Sequence, residues 1–226
     1  MSARPILVGG AGAIGGTIGA CLVRAGHELL FVDVDAAHVA AINTHGLRIE
    51  GPIEAFTVAA QALLPADVQG EFSQIFLCVK AHHTKDATRM LAPHLASDGY
   101  VVSFQNGLNE LEIAEIVGRD RTIGAFVNYG ADYLAPGVVH YSGRGAFVLG
   151  ELDGELTPRL QALHRLAQVF EPNASITDNI LGYLWGKLGY GALLFATALT
   201  NASICDALPL RSRAKCTGGW PGNRWP

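Results

Sequence analysis

The chain has 226 residues, of which 50% are hydrophobic and 16% charged. That excludes extended disorder and allows one large or two small domains. Its 16 basic and 20 acidic residues give a net charge of −4, the wrong sign for wholesale nucleic-acid binding. The 27 glycines follow no G-x-y period, so they belong to turns and close backbone approaches.

Residues 4–9 read as a short apolar strand and 13–25 as a helix stopped by Gly26. A second strand spans 29–34, followed by a short helix over 36–43. Residues 46–50 and 55–58 alternate like strands. Residues 75–79 (IFLCV) are uniformly apolar, as in a buried parallel strand. Helices over 84–91 and 108–117 flank a strand at 101–104. Strands at 122–129, 138–141 and 146–149 precede an amphipathic helix over 155–169. Such alternation predicts an α/β fold: a Rossmann-type doubly wound parallel sheet, helices on both faces, then an incomplete all-helical domain. The expected division is a dinucleotide-binding domain over 1–177, the start of a helical domain over 178–210, and an irregular tail over 211–226.

Residues 181–199 are apolar enough to raise the question of a membrane. Lys187 and four glycines interrupt them, so a buried helix is expected and no membrane span. The tail RSRAKCTGGWPGNRWP has four basic residues and no acid. It reads either as a disordered basic extension or as sequence outside the native reading frame. Cys21, Cys78, Cys205 and Cys216 show no C-x-x-C spacing, and the histidines no metal spacing, so no metal is expected. With no secretory signal in MSARPILVGG, the expected setting is the cytoplasm.

Gly10-Ala11-Gly12-Ala13-Ile14-Gly15 matches G-x-G-x-x-G between a strand and a helix. Gly10 would allow the tight turn, Gly12 the approach of a pyrophosphate, and Gly15 close helix–strand packing. The free amides and the positive helix end would meet the anion, with Ala13 and Ile14 in the first turn. Asp33 closes the second strand 18 residues after Gly15, the place of a ribose-binding acid. A carboxylate there repels a 2′-phosphate and favours NAD over NADP. Asp35 reads instead as the N-cap of the next helix. His82 and His83 are adjacent and share no helix face, so they read as polar loop or helix-start residues.

Three further pieces accompany the fingerprint: Cys78-Val79-Lys80-Ala81, Gln105-Asn106-Gly107, and Leu184-Trp185-Gly186-Lys187-Leu188. Together they resemble the ketopantoate reductases (2-dehydropantoate 2-reductases) over residues 4–208. The resemblance implies NADPH-dependent reduction of a 2-keto acid to a 2-hydroxy acid, as in pantothenate biosynthesis. It places Lys80, Asn106 and Gly130 against the cofactor and makes Lys187 the proton donor. It also implies a longer helical domain with substrate in the cleft. A helix over 179–207 without partner helices would expose a large apolar surface, which argues for a homodimer through the helical segment, for misfolding, or for a degraded or frame-shifted chain.

Chemistry supports a lysine there, because hydride arriving at a ketone leaves charge on oxygen that a general acid must neutralise. Lys187 would also pair with the substrate carboxylate. The competing reading is a lysine whose stem packs while its amine reaches water. The family's asparagines after W-x-K-L are missing, so a more apolar pocket is expected, with Asn201 and Ser203 as the candidate substrate contacts. Two alternatives stay open: a catalytically inactive dinucleotide-binding module, and an NAD-dependent polyol or alcohol dehydrogenase on the same fold.

Overall fold

A computed structural model of the chain describes residues 5–197. In chain order the elements are β1 (Ile6–Gly9), α1 (Ala13–Arg24), β2 (Leu29–Val32), α2 (Ala36–His45), β3 (Leu47–Glu50), β4 (Phe56–Val58) and β5 (Gln61–Leu63). Then come β6 (Phe72–Leu77), α3 (Thr84–Leu91), β7 (Leu95–Ser103), α4 (Asn109–Val117), β8 (Thr122–Ala135) and β9 (Val138–Glu151). The last are α5 (Pro158–Ala167), β10 (Ser175–Ile176) and α6 (Ile180–Thr197). A compact unit runs to Leu184, and a second begins at Trp185.

The strands form one sheet in the order β4-β3-β9-β8-β7-β6-β1-β2-β5, with β10 beside β9. β1 pairs in parallel with β2 on one side and β6 on the other. The chain order reverses at β1, so a crevice opens there at the carboxyl ends of the strands, where open α/β sheets bind ligands.

Alternate side chains of the central strands feed two cores, as the two-residue period of a strand requires. Val8, Phe76 and Val102 join Ile18 and Leu22 of α1, Ile42 of α2 and Leu160 of α5 on one face. Leu7, Ile75, Leu77 and Val101 join Leu91 of α3 and Ile113 of α4 on the other. Each fully buried Leu, Ile or Phe contributes about 1.5–3 kcal/mol relative to exposure.

The alternation implies a parallel sheet; its central strands are parallel, and antiparallel pairs beyond them make the sheet as a whole mixed. β8 and β9 form a long antiparallel hairpin of 14 residues per strand. The two short strands expected at 138–141 and 146–149 are one strand, because the Gly- and Arg-containing stretch between them stays paired with β8. β5 also belongs to the sheet: the Asn43 side chain grips the Ala62 backbone through both its amide nitrogen and its oxygen, each at 2.8 Å. Among the described residues no helix is long and apolar enough to cross a membrane.

The first turn of α6 packs on the sheet unit. Ile180 and Leu184 join Leu152, against Leu108, Ala114 and Phe126. Beside them lies Glu110 on α4, fully buried. Its Cγ and Ile180 both crowd Gly124, leaving no room for a Cβ there. Neither Glu110 carboxyl oxygen has a well-formed hydrogen bond. Burial pushes the carboxyl up from 4.5 to about 7, partly offset by its own amide and the Ser103 hydroxyl. A raised carboxyl favours the folded state while protonated. That contribution, roughly 3 kcal/mol, is full below the unfolded value and disappears as pH rises through about 7. Glu110→Gln is therefore expected to flatten the loss of stability between pH 5 and pH 8. Urea melts of both proteins across that range check it, and parallel pH profiles would show that Glu110 is already ionised.

Candidate functional site

The glycine turn sits where β1 meets α1. Gly10 adopts φ +94°, and a Cβ on it would lie 2.9 Å from the Val79 nitrogen beyond β6. Gly15 is more tightly confined: a Cβ on it would overlap the Gly10 carbonyl oxygen and lie 2.9 Å from Cys78 Cβ. Gly12 is the opposite case, with nothing within 4 Å of a Cβ built on it. It caps α1 without any side-chain hydrogen bond, and no acidic residue follows in the first turn. The first amides of a helix have no intrahelical acceptor. The turn thus presents amides, a positive helix end and unfilled space, a fit for an anionic diphosphate. Ala13 and Ile14 are half-buried beside it.

Asp33 stands at the end of β2 and accepts the Ala11 amide through Oδ2 at 2.8 Å and the Asp35 amide through Oδ1 at 3.0 Å. Each carboxylate oxygen retains a further lone pair for a ribose hydroxyl. Asp35 is the N-cap of α2: its Oδ1 accepts from the amides of Ala37 and His38. These bonds hold its carboxyl below the usual range, led by the His38 amide.

Gly10 and Asp33 line a crevice of about 160 Å³ whose apolar walls include Val34, Pro65, Val79 and Met90. His83 also reaches it, at the end of a single 3-10 turn over Ala81–His83. A larger hollow, about 580 Å³, opens at the other end of β1 and β2 beside Pro5, Glu28 and Phe72. None of the sequence candidates lines it.

Lys80 and Asn106 are exposed just beyond the carboxyl ends of β6 and β7. A buried polar lattice holds their two loops together. Gln105 Nε2 donates to the Val79 carbonyl and to Thr84 Oγ1, both at 2.8 Å. Thr84 Oγ1 lies 2.7 Å from the Ala81 carbonyl and 3.1 Å from Asn109 Oδ1, and its single proton serves one of them at a time. Asn109 Nδ2 closes the set on the Asn106 carbonyl at 2.9 Å.

Gly130 lies in β8 opposite Gly143, where the pairing register shifts. Next to it, the Tyr129 hydroxyl donates to the Ile14 carbonyl in the first turn of α1 at 3.1 Å. Burial raises that phenol well above its ordinary range, so it stays a neutral donor.

Lys187 belongs to α6 in the second unit and is half-buried. Partial burial lowers its ammonium from the ordinary 10.5. Asn201 and Ser203 lie outside the described residues.

The turn, Asp33, Lys80, Asn106 and Gly130 were legible as candidates. Tyr129, Thr84, Gln105 and Asn109 were missed as supporting groups, apart from Gln105 as part of a motif. Most of their partners are distant in sequence, and only the three-residue spacings of Ala81 with Thr84 and of Asn106 with Asn109 left a local trace. The most consequential omission is His38, whose buried ring bonds to Ala11 and Gly137.

The chain is similar to known proteins over most of its length. Residues 6–154 match the family model described as ketopantoate reductase PanE/ApbA. The 2-dehydropantoate 2-reductase of Pyrococcus abyssi is 33% identical over 188 residues, covering 80% of this chain and 59% of that protein. The chain thus spans about three fifths of that relative's length. The crystal structure of 2-dehydropantoate 2-reductase from Geobacter metallireducens superposes with a TM-score of 0.77 at 26% identity, covering 84% of this chain and 63% of the other. D-mandelate dehydrogenase, in its ternary structure with NADH and anilino(oxo)acetate, does so with a TM-score of 0.72 at 26% identity, covering 81% and 60%. With the match running from the glycine turn through the β8–β9 hairpin, the chain belongs to the ketopantoate reductase family.

Proposed function

We propose that this chain binds a nicotinamide dinucleotide at its glycine turn and reduces a 2-keto acid to the 2-hydroxy acid. The observation that carries the reading is the contrast at the turn. Gly10 and Gly15 are confined by the fold, whereas Gly12 faces open space that a Cβ would only begin to fill. A family member has reason to keep that space open if a diphosphate enters it.

In this reading the amides of the turn hold the diphosphate and Asp33 accepts from the ribose. The apolar walls of the neighbouring crevice receive the flat base. Lys80, Asn106 and Gly130 contact the cofactor from the ends of β6, β7 and the hairpin. When bound, a reduced nicotinamide supplies hydride to the carbonyl carbon. Lys187 gives a proton to the carbonyl oxygen, and its charge stabilises the oxygen as negative charge develops. Its lowered basicity suits it to release that proton. Asn201 and Ser203 are proposed as substrate contacts.

Asp33 favours NADH, and the NADH in the D-mandelate dehydrogenase structure supports the same choice, together with an oxo-acid substrate. The 2-dehydropantoate reductases among the relatives favour a 2-dehydropantoate-like substrate. The exposed Trp185, Tyr190 and Phe195 of α6 support a homodimer through the helical segment.

Gly12→Ala is expected to keep the wild-type melting temperature and lose NADH affinity about tenfold or more, or about 1.4 kcal/mol. Gly15→Ala is expected to lose fold and binding together, because its Cβ would overlap the Gly10 carbonyl. Calorimetric melts with fluorescence titration separate the two, and unchanged binding in Gly12→Ala would remove the diphosphate from the turn. Asp33→Asn keeps an acceptor for the Ala11 amide but removes the charge. It is expected to shift the NADH-to-NADPH affinity ratio towards NADPH by about tenfold. Lys187→Ala is expected to cut turnover by about 10²–10⁴ with cofactor binding retained. A proton donor must hold its proton, so wild-type turnover should decline as pH rises through a value below 10.5. Turnover that survives the substitution would leave Lys187 a packing residue.

A further inference from the structure

His38 is a polar side chain with almost no exposure, 1%, in a helix whose other buried members are aliphatic. Its ring makes two hydrogen bonds. Nε2 lies 2.9 Å from the Ala11 carbonyl oxygen, and Nδ1 lies 2.9 Å from the Gly137 amide nitrogen. A carbonyl can only accept and an amide can only donate. Nε2 therefore carries the proton and Nδ1 carries none, so the ring is the neutral Nε2–H tautomer. A cationic ring would set N–H against N–H at Gly137.

The consequence lies in the glycine turn. A peptide unit is planar, so the Ala11 carbonyl and the Gly12 amide point in opposite directions within one rigid plane. By holding that carbonyl, His38 fixes the direction of the Gly12 amide, which points to the side opposite the ring. Asp33 holds the adjoining plane through the Ala11 amide. On its far side His38 grips the tip of the β8–β9 hairpin, where Gly137 turns at φ +76°.

The ring is enclosed by the same tip. Tyr133 packs edge-on at 5.0 Å, and its hydroxyl donates to Asp35 Oδ2 at 3.2 Å. Partial desolvation, with the bonded Asp35 carboxylate beside it, pushes that phenol up to about 12, so it remains neutral. Among the described residues, the Asp35 carboxylate lies within electrostatic reach of the ring. The hairpin also reaches the turn through Tyr129 and Ile14.

We propose that His38 is a positioning residue for the dinucleotide: a neutral imidazole that couples the diphosphate-binding turn to the tip of the β8–β9 hairpin. The proposal rests on the dinucleotide reading above. It makes cofactor affinity depend on a residue that touches no cofactor atom, and by linkage makes the hairpin tip respond to cofactor.

The test compares His38→Leu, which fills the space without hydrogen bonds, with His38→Gln, whose amide restores one donor and one acceptor. NADH and NADPH are titrated against each full-length chain by fluorescence, with melting temperatures recorded. His38→Leu is expected to weaken binding about tenfold, the scale of one lost buried hydrogen bond, and His38→Gln to recover most of it. The KM for cofactor should rise while kcat at saturating cofactor stays within about twofold. Should His38→Leu fail to fold, amide exchange of the wild-type segment 133–138 decides: NADH is expected to slow it. Wild-type affinity in a folded His38→Leu, no recovery in His38→Gln, or exchange unmoved by NADH would overturn the coupling alone. A wild-type chain that binds neither nucleotide overturns the dinucleotide reading and the coupling with it.

Discussion

The Ala11 peptide is held at both ends, its amide by the Asp33 carboxylate and its carbonyl by the His38 ring. Because peptide units are rigid, these two bonds orient three successive groups: the Gly10 carbonyl, the Ala11 residue and the Gly12 amide. The close contact of Gly15 with the Gly10 carbonyl then leaves the turn little alternative path. The restraint has a cost at the helix start. α1 forgoes a side-chain N-cap, which would be worth about 1 kcal/mol, and leaves its first amides without a protein acceptor from a capping group. A turn built this way is already ordered, so a ligand binding there would not have to supply the ordering.

The ends of β6 and β7 follow the same logic with different chemistry. Gln105, Thr84 and Asn109 are buried hydrogen-bonding groups that spend their bonding capacity on loop carbonyls. Lys80 and Asn106 are thereby left exposed on braced loops, at the switch point beside the glycine turn. Glu110, a few residues on, lacks well-formed partners of this kind, and burial raises its carboxyl to about 7. Satisfied and unsatisfied polar groups thus lie side by side under one rim. The satisfied ones position the loops, and burial raises the carboxyl of the unsatisfied one.

The two faces of the sheet divide the work. α1, α2 and α5 cover the face that carries the turn and its hairpin brace, and α3 and α4 cover the face beneath Lys80 and Asn106. A mixed sheet serves this better than the expected parallel one. An antiparallel hairpin can extend beyond the sheet body and return, whereas a parallel strand must cross over through a helix. The extended tip is what reaches His38 and Asp35.

Much of the site is local in origin and so was legible. The glycine spacing, the acid at the end of β2, the Asp35 cap two and three residues before its amides, and the residues closing β6 and β7 all lie within short windows. The elements around them follow from the two-residue and 3.6-residue hydrophobic periods. His38, Tyr129 and the continuous β9 were not legible. His38 meets Gly137 across 99 residues, and Tyr129 meets Ile14 across 115. A strand that leaves the core, as β9 does between residues 141 and 147, loses the burial pattern that marks it. The sequence by itself determined the glycine turn between a strand and a helix and the acid that follows the next strand. Tertiary structure alone decided what holds that motif in place, because a hydrogen bond between distant segments leaves no period in the chain.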